Sequence, residues 1–202
     1  MKYRIILILV FLMKCSLNWG QVDSTLSSWL DSLKTEDQKW RHLISKIINK
    51  EVDSISFGTV SKRVGEVDSM NYLVIKPLFD KYGYLGYDKV GINSSHNFWL
   101  LVQHADKHPD FQDSVLVRMK IDADKGNSSI TDYAYLLDRV LINTGQKQVY
   151  GTQMTLNSSK TSYEPKPVIE PEKLNERRRQ VGLSTIEVYI QIMNDNYLEK
   201  KR

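Results

Sequence analysis

Apolar residues along most of this chain recur with the spacing of helix faces. Leu26, Trp29, Leu30 and Leu33 fall at i, i+3, i+4 and i+7, which predicts a helix over 24–34. Thr35 with Gln38 reads as a capping box opening a second helix that carries Trp40, Leu43, Ile44, Ile47 and Ile48 to Lys50. Residues 51–66 are polar and read as a loop. Asp68 can cap a third helix with Leu73, Val74, Leu78 and Tyr82 on its apolar side, although Pro77 should kink it or delay its start. Gly83, Gly86 and Gly91 mark a tight connector from Tyr82 to Asn93.

The middle of the chain is more apolar. Ser94 or Ser95 can cap a helix through the run Phe98 to Val102, which has no polar face and should be buried all round. His108-Pro109 ends it, and Pro109 suits the first position of the next helix, with Phe111, Val115, Leu116 and Met119. A further helix spans about Thr131 to Asn143 and stops at Gly145. Lys147 to Leu156 is rich in strand formers and reads as a strand, or half of a hairpin turning near Asn157-Ser158. Pro165, Pro167 and Pro171 indicate extended chain, and helices follow at about 172–180 and 184–198, split at Gly182. The expected fold is mainly α: one domain of six to eight helices with a short strand or hairpin near 147–156.

The N-terminus has a different pattern. Lys2 and Arg4 precede nine apolar residues, Ile5 to Met13, and small and polar residues follow up to Gly20. This is the layout of a secretory signal, and the apolar run is short of the roughly 20 residues of a membrane span. The expected organisation is a signal peptide at 1–20 and one helical domain at 21–202, exported to the periplasm or secreted, with no transmembrane span after cleavage. Cys15 follows Lys14 rather than a small residue, which disfavours a lipoprotein. Cleavage after Gly20 removes this cysteine, the only one, so the remaining domain has no disulfide or thiol chemistry. It also removes Lys2, Arg4 and Lys14, leaving 25 basic against 24 acidic residues. A nearly neutral domain offers no electrostatic case for nucleic acid as a partner.

The candidate chemistry lies where polar residues interrupt apolar helices. Gln103, His104 and Asp106 directly follow one apolar run, and Asp138 and Arg139 stand between Leu137 and Val140 in another. Buried polar groups left unpaired cost about 1–3 kcal/mol, so these side chains are expected to partner one another, with Tyr150, Thr152 and Gln153 from the strand. In the catalytic reading His104 acts as acid or base, with Asp138 or Asp106 orienting its ring. Arg139 and Arg178 can hold a carboxylate or phosphate, and Gln103, Tyr150 and Gln153 can supply neutral hydrogen bonds. The alternative is a network that only locks the helices together. His104 and His108 share the i, i+4 spacing of a zinc-binding helix, but the accompanying Glu is missing and Pro109 ends the helix, so no metal and no cofactor is expected. No Gly-x-Ser-x-Gly or phosphate loop occurs.

These motifs carry a resemblance. Phe98 to Asp106, Pro109-x-Phe111-Gln112, Asp132 to Val140 and Gln148-x-Tyr150-Gly151-Thr152-Gln153 are similar to an uncharacterised bacterial domain-of-unknown-function family. Glu36-Asp37-Gln38 with Arg41, and Arg177-Arg178 before Gly182-Leu183, also fit its pattern. The likeness spans about 25–190 and implies a single mostly helical domain with no activity to carry over. Its marked positions include Gln103, His104, Asp106, Asp138, Arg139, Tyr150, Gly151 and Gln153, but not His108. Asp-Ser pairs at 23–24, 31–32, 53–54, 68–69 and 113–114 resemble the O-glycosylation motif of exported Bacteroidetes proteins, although Asp and Ser also serve as ordinary helix caps. Three functions follow as expectations: an exported protein binding a small or peptidic ligand around His104, a hydrolase or lyase using His104, or a structural or interaction protein with no ligand.

Overall fold

The computed structural model describes residues 22–159 and 161–199; the signal-like segment lies outside them. Helices α1 (Ser24–Ile48), α2 (Phe57–Tyr82), α3 (Tyr87–Gln103), α4 (Pro109–Asp124) and α5 (Ile130–Asn143) come first. A small hairpin, β1 (Met154–Leu156) and β2 (Tyr163–Pro165), and then α6 (Leu174–Gln180) and α7 (Ile186–Glu199) complete a mainly α single domain. No described helix is long and apolar enough to cross a membrane.

Helix α3 is the centre, in contact with α1, α2, α4 and α5. Its apolar run explains this position: Phe98, Leu101 and Val102 are fully enclosed, and Trp99 nearly so, against Leu30, Ile75, Val115, Met119 and Leu136. Burying such side chains contributes about 1.5–3 kcal/mol each, so the chain places its least polar segment innermost.

Several boundaries differ from the expected ones. α1 is continuous, because Asp23 is the cap that accepts from the N–H groups of Thr25 and Leu26. The Thr35 hydroxyl instead donates back to the Asp31 carbonyl, and Gln38 donates to Asp37, so the apparent capping box is taken apart. α2 starts at Phe57 under a Ser56 cap, within the stretch expected to be loop. Its first turns bury only about one apolar residue every two turns, Val60 and then Val67, too sparse a stripe to stand out in the sequence. α3 begins at Tyr87, and a break at Gly91 (φ 76°, ψ 169°) separates a first turn from the apolar helix. Ser94 does not cap; its hydroxyl and the Asn97 amide both donate to Asp31 on α1.

The strand is shorter than expected. β1 pairs antiparallel with β2 in the register Met154–Pro165, Thr155–Glu164 and Leu156–Tyr163. Residues 149–152 are not in a ladder because the N–H groups of Val149, Tyr150 and Thr152 go to the Asp138 carboxylate.

Candidate functional site

The polar residues singled out in the sequence fall into two groups. The first surrounds His104, at the end of α3. Its Nδ1 lies 2.9 Å from Oδ1 of Asp37, whose side chain is wholly buried. Asp37 belongs to the inward stripe of α1, after Leu26, Leu30 and Leu33, so a carboxylate occupies a position where the spacing calls for an apolar residue. Gln38 Nε2 donates to its Oδ2 (2.7 Å), and Arg41 Nε approaches both of its oxygens at 3.3 Å. The Arg41 guanidinium also donates to Asp68 on α2, so one cation bridges two carboxylates across the α1–α2 seam.

The environment separates these two acids. Burial opposes ionisation of Asp37, but hydrogen bonding to His104 and the charges of His104 and Arg41 outweigh it and hold its pKa below the ordinary value. At Asp68 burial prevails over Arg41 and raises the pKa. His104 Nε2 has no hydrogen-bond partner among the described residues. The ring lines a cavity of about 230 Å³ with Asp68, Ser69 and the turn from Ala105 to His108. Asp106 forms one edge of this hollow and is held by a two-point ion pair with Arg139 (2.8 and 2.6 Å) and by Asn143 (2.9 Å). His108 stacks flat on Tyr72, with ring centroids 3.5 Å apart.

Asp37, Asp68 and His104 each place one ligand-type atom within 4.8 Å of the others, which is the composition of a divalent-cation site. Arg41 already supplies positive charge to both carboxylates, so a metal ion entering here has to displace a guanidinium.

The second group is separate and closed. Asp138, expected beside His104, is fully buried and accepts from the N–H groups of Val149, Tyr150 and Thr152 and from the Thr152 hydroxyl at 2.7–3.2 Å. It organises a loop; the carboxylate orienting the imidazole is Asp37. Arg178, expected to hold a ligand anion, is fully buried and donates to the Tyr150 carbonyl (2.6 Å) and the Ser184 carbonyl (2.6 Å). Gln153 also belongs here: Gln148 brackets its backbone, donating to its carbonyl (3.0 Å) and accepting from its N–H (2.8 Å). Tyr150 joins this group through its backbone rather than reaching His104. Gln103 contributes a carbonyl, which accepts from Gln112 at 3.3 Å. Of the expected set, Asp106 alone lines the His104 cavity, with Arg139 joined to it as ion-pair partner.

Asp37, Arg41 and Asp68 were missed as partners of His104. The available signal was the carboxylate in the apolar stripe of α1 with Arg41 one turn later; no local pattern announces that Asp68 faces them.

Residues 30–202 match the model of a family described as being of unknown function, DUF6624. No curated protein and no solved structure matches the chain.

Proposed function

This chain belongs to DUF6624, a family of unknown function, and we propose that it binds a small ligand in the His104 cavity and that His104 acts there as a general acid–base. The observation that carries this reading is the 2.9 Å contact between Nδ1 and the enclosed, ionised Asp37. A carboxylate accepting at Nδ1 fixes the proton on that nitrogen and leaves the Nε2 lone pair for the cavity. The ring is then oriented to remove a proton from a bound water or a ligand and to return it in a later step, which suits a hydrolase or a lyase. Asp37 positions the imidazole and stabilises its charged form; Gln38 and Arg41 hold Asp37 in turn.

The test is a thermal-shift screen of small molecules on residues 21–202, since whatever binds the native state raises its melting temperature. Ligands stabilising the wild-type protein are expected to lose that effect in His104→Gln, with circular dichroism checking that the variant is folded. Turnover of such a ligand is expected to fall by about 10²–10⁴ in the same variant. Equal stabilisation of wild type and His104→Gln by every ligand found would remove the reading.

We also infer export, from the signal-like pattern at 1–20. The intact mass of material recovered outside the cytoplasm should equal that of residues 21–202. Added mass in hexose steps would mark glycosylation. Asp53-Ser54, between helices, and Asp23-Ser24, at the start of α1, suit an acceptor role. Ser32, Ser69 and Ser114 lie inside helices with their hydroxyls bonded to carbonyls four residues back.

A further inference from the structure

The His104 cavity adjoins a wider hollow of about 660 Å³ along α2, lined by Ser61, Lys62, Arg63, Gly65, Glu66 and Met70; Ser69 and Lys107 border both spaces. The carboxylates lining them are already matched. Asp68 is paired with Arg41, Asp106 with Arg139 and Glu66 with Arg63 (3.0 Å). Asp37, behind the cavity, shares Arg41 and takes His104 as its second partner.

Lys107, in the turn next to His104, and Lys62, one helix away, have no carboxylate within ion-pair distance among the described residues. Counted without the imidazoles, these groups carry one more positive than negative charge. The arginines, whose planar forks suit two-point recognition, are engaged with protein carboxylates. What remains for a ligand is a pair of compact ammonium charges beside an imidazole.

Resting on the acid–base reading above, we propose that the ligand is a small anion whose phosphate or carboxylate group is held by Lys107, with Lys62 receiving a second negative group further along the hollow. Charge delivered this way places the reacting part of the ligand at Nε2 of His104, and the pairing of Asp106 with Arg139 and of Asp68 with the shared Arg41 weakens their repulsion of it.

The experiment follows the histidine C2–H resonances of residues 21–202 during titration with inorganic phosphate, and separately with acetate, against chloride at matched ionic strength. Saturable shifts at His104 and His108 are expected, weakened at least tenfold by Lys107→Glu and by a smaller factor in Lys62→Glu. A phosphate-selective site responds to phosphate alone; a general anion seat responds to both. Saturable phosphate binding retained in His104→Gln, read at the His108 C2–H resonance, supports the anion seat even where the acid–base reading fails. Phosphate shifts unchanged in Lys107→Glu, or shifts no larger than those of chloride, overturn the proposal.

Discussion

At the residue scale the central fact is a carboxylate buried where a leucine would suit the packing. Asp37 remains ionised because His104 and Arg41 surround it, so its depressed pKa is also a term in stability. The sign follows from the direction: a lowered carboxyl pKa contributes stability that is present above the ordinary value of 3.8 and lost as pH falls through the folded-state value. Asp37→Asn should therefore lower stability at neutral pH by about 1–3 kcal/mol, with the loss shrinking as pH falls below 3.8, as read by urea denaturation across that range. The same substitution should shift the C2–H resonance of His104 at constant pH, because the ring loses its carboxylate partner at Nδ1. An unchanged resonance would show that Asp37 does not act on the ring. His104 was legible in the sequence because a histidine after an apolar run needs a partner. Its partner was not, since Asp37 is 67 positions away and Asp138 sits in an equally apolar context.

At the scale of elements, the helices with dense apolar stripes were legible and the sparse or broken ones were not. α4 and α5 follow their patterns almost to the residue, whereas the start of α2 is set by the Ser56 cap and isolated valines. Within the Lys147–Leu156 segment only Met154–Leu156 forms a strand, because the backbone donors of Val149, Tyr150 and Thr152 are satisfied by one side chain. That loop makes two sharp predictions. Asp138→Asn replaces an acceptor oxygen with a donor facing N–H groups and should destabilise the protein by about 1–3 kcal/mol for each donor left unpaired, measured by thermal melting. Gly151 has φ of +69°, and a Cβ there would lie 3.2 Å from Ile186 and 3.4 Å from Leu174. Gly151→Ala should thus cost more than about 1 kcal/mol from backbone strain and crowding together, whereas alanine at an exposed helical position would be nearly neutral.

At the scale of the whole molecule, the two polar groups divide the labour between a site and a fastening. The α1–α5 assembly surrounds the apolar run of α3, while the segment after α5 is attached through charged side chains bonded to backbone: Asp138 to residues 149–152, Arg178 to Tyr150 and Ser184, and Arg177 to the carbonyls of Val149, Ile169 and Glu170. A unit held mainly by such contacts should open at lower free energy than one held by a continuous apolar core. Hydrogen exchange is therefore expected to show amides of the hairpin, α6 and α7 exchanging through a partial opening, with those around Phe98–Val102 exchanging only on global unfolding. Asp138→Asn should speed the first set and leave the second governed by overall stability. Because His104 and Asp37 lie in the part that stays folded, phosphate binding should survive under mildly denaturing conditions that already free the C-terminal unit. Equal exchange of both regions in wild type and variant would show instead that the molecule unfolds as one cooperative body, with Asp138 contributing to the stability of the whole.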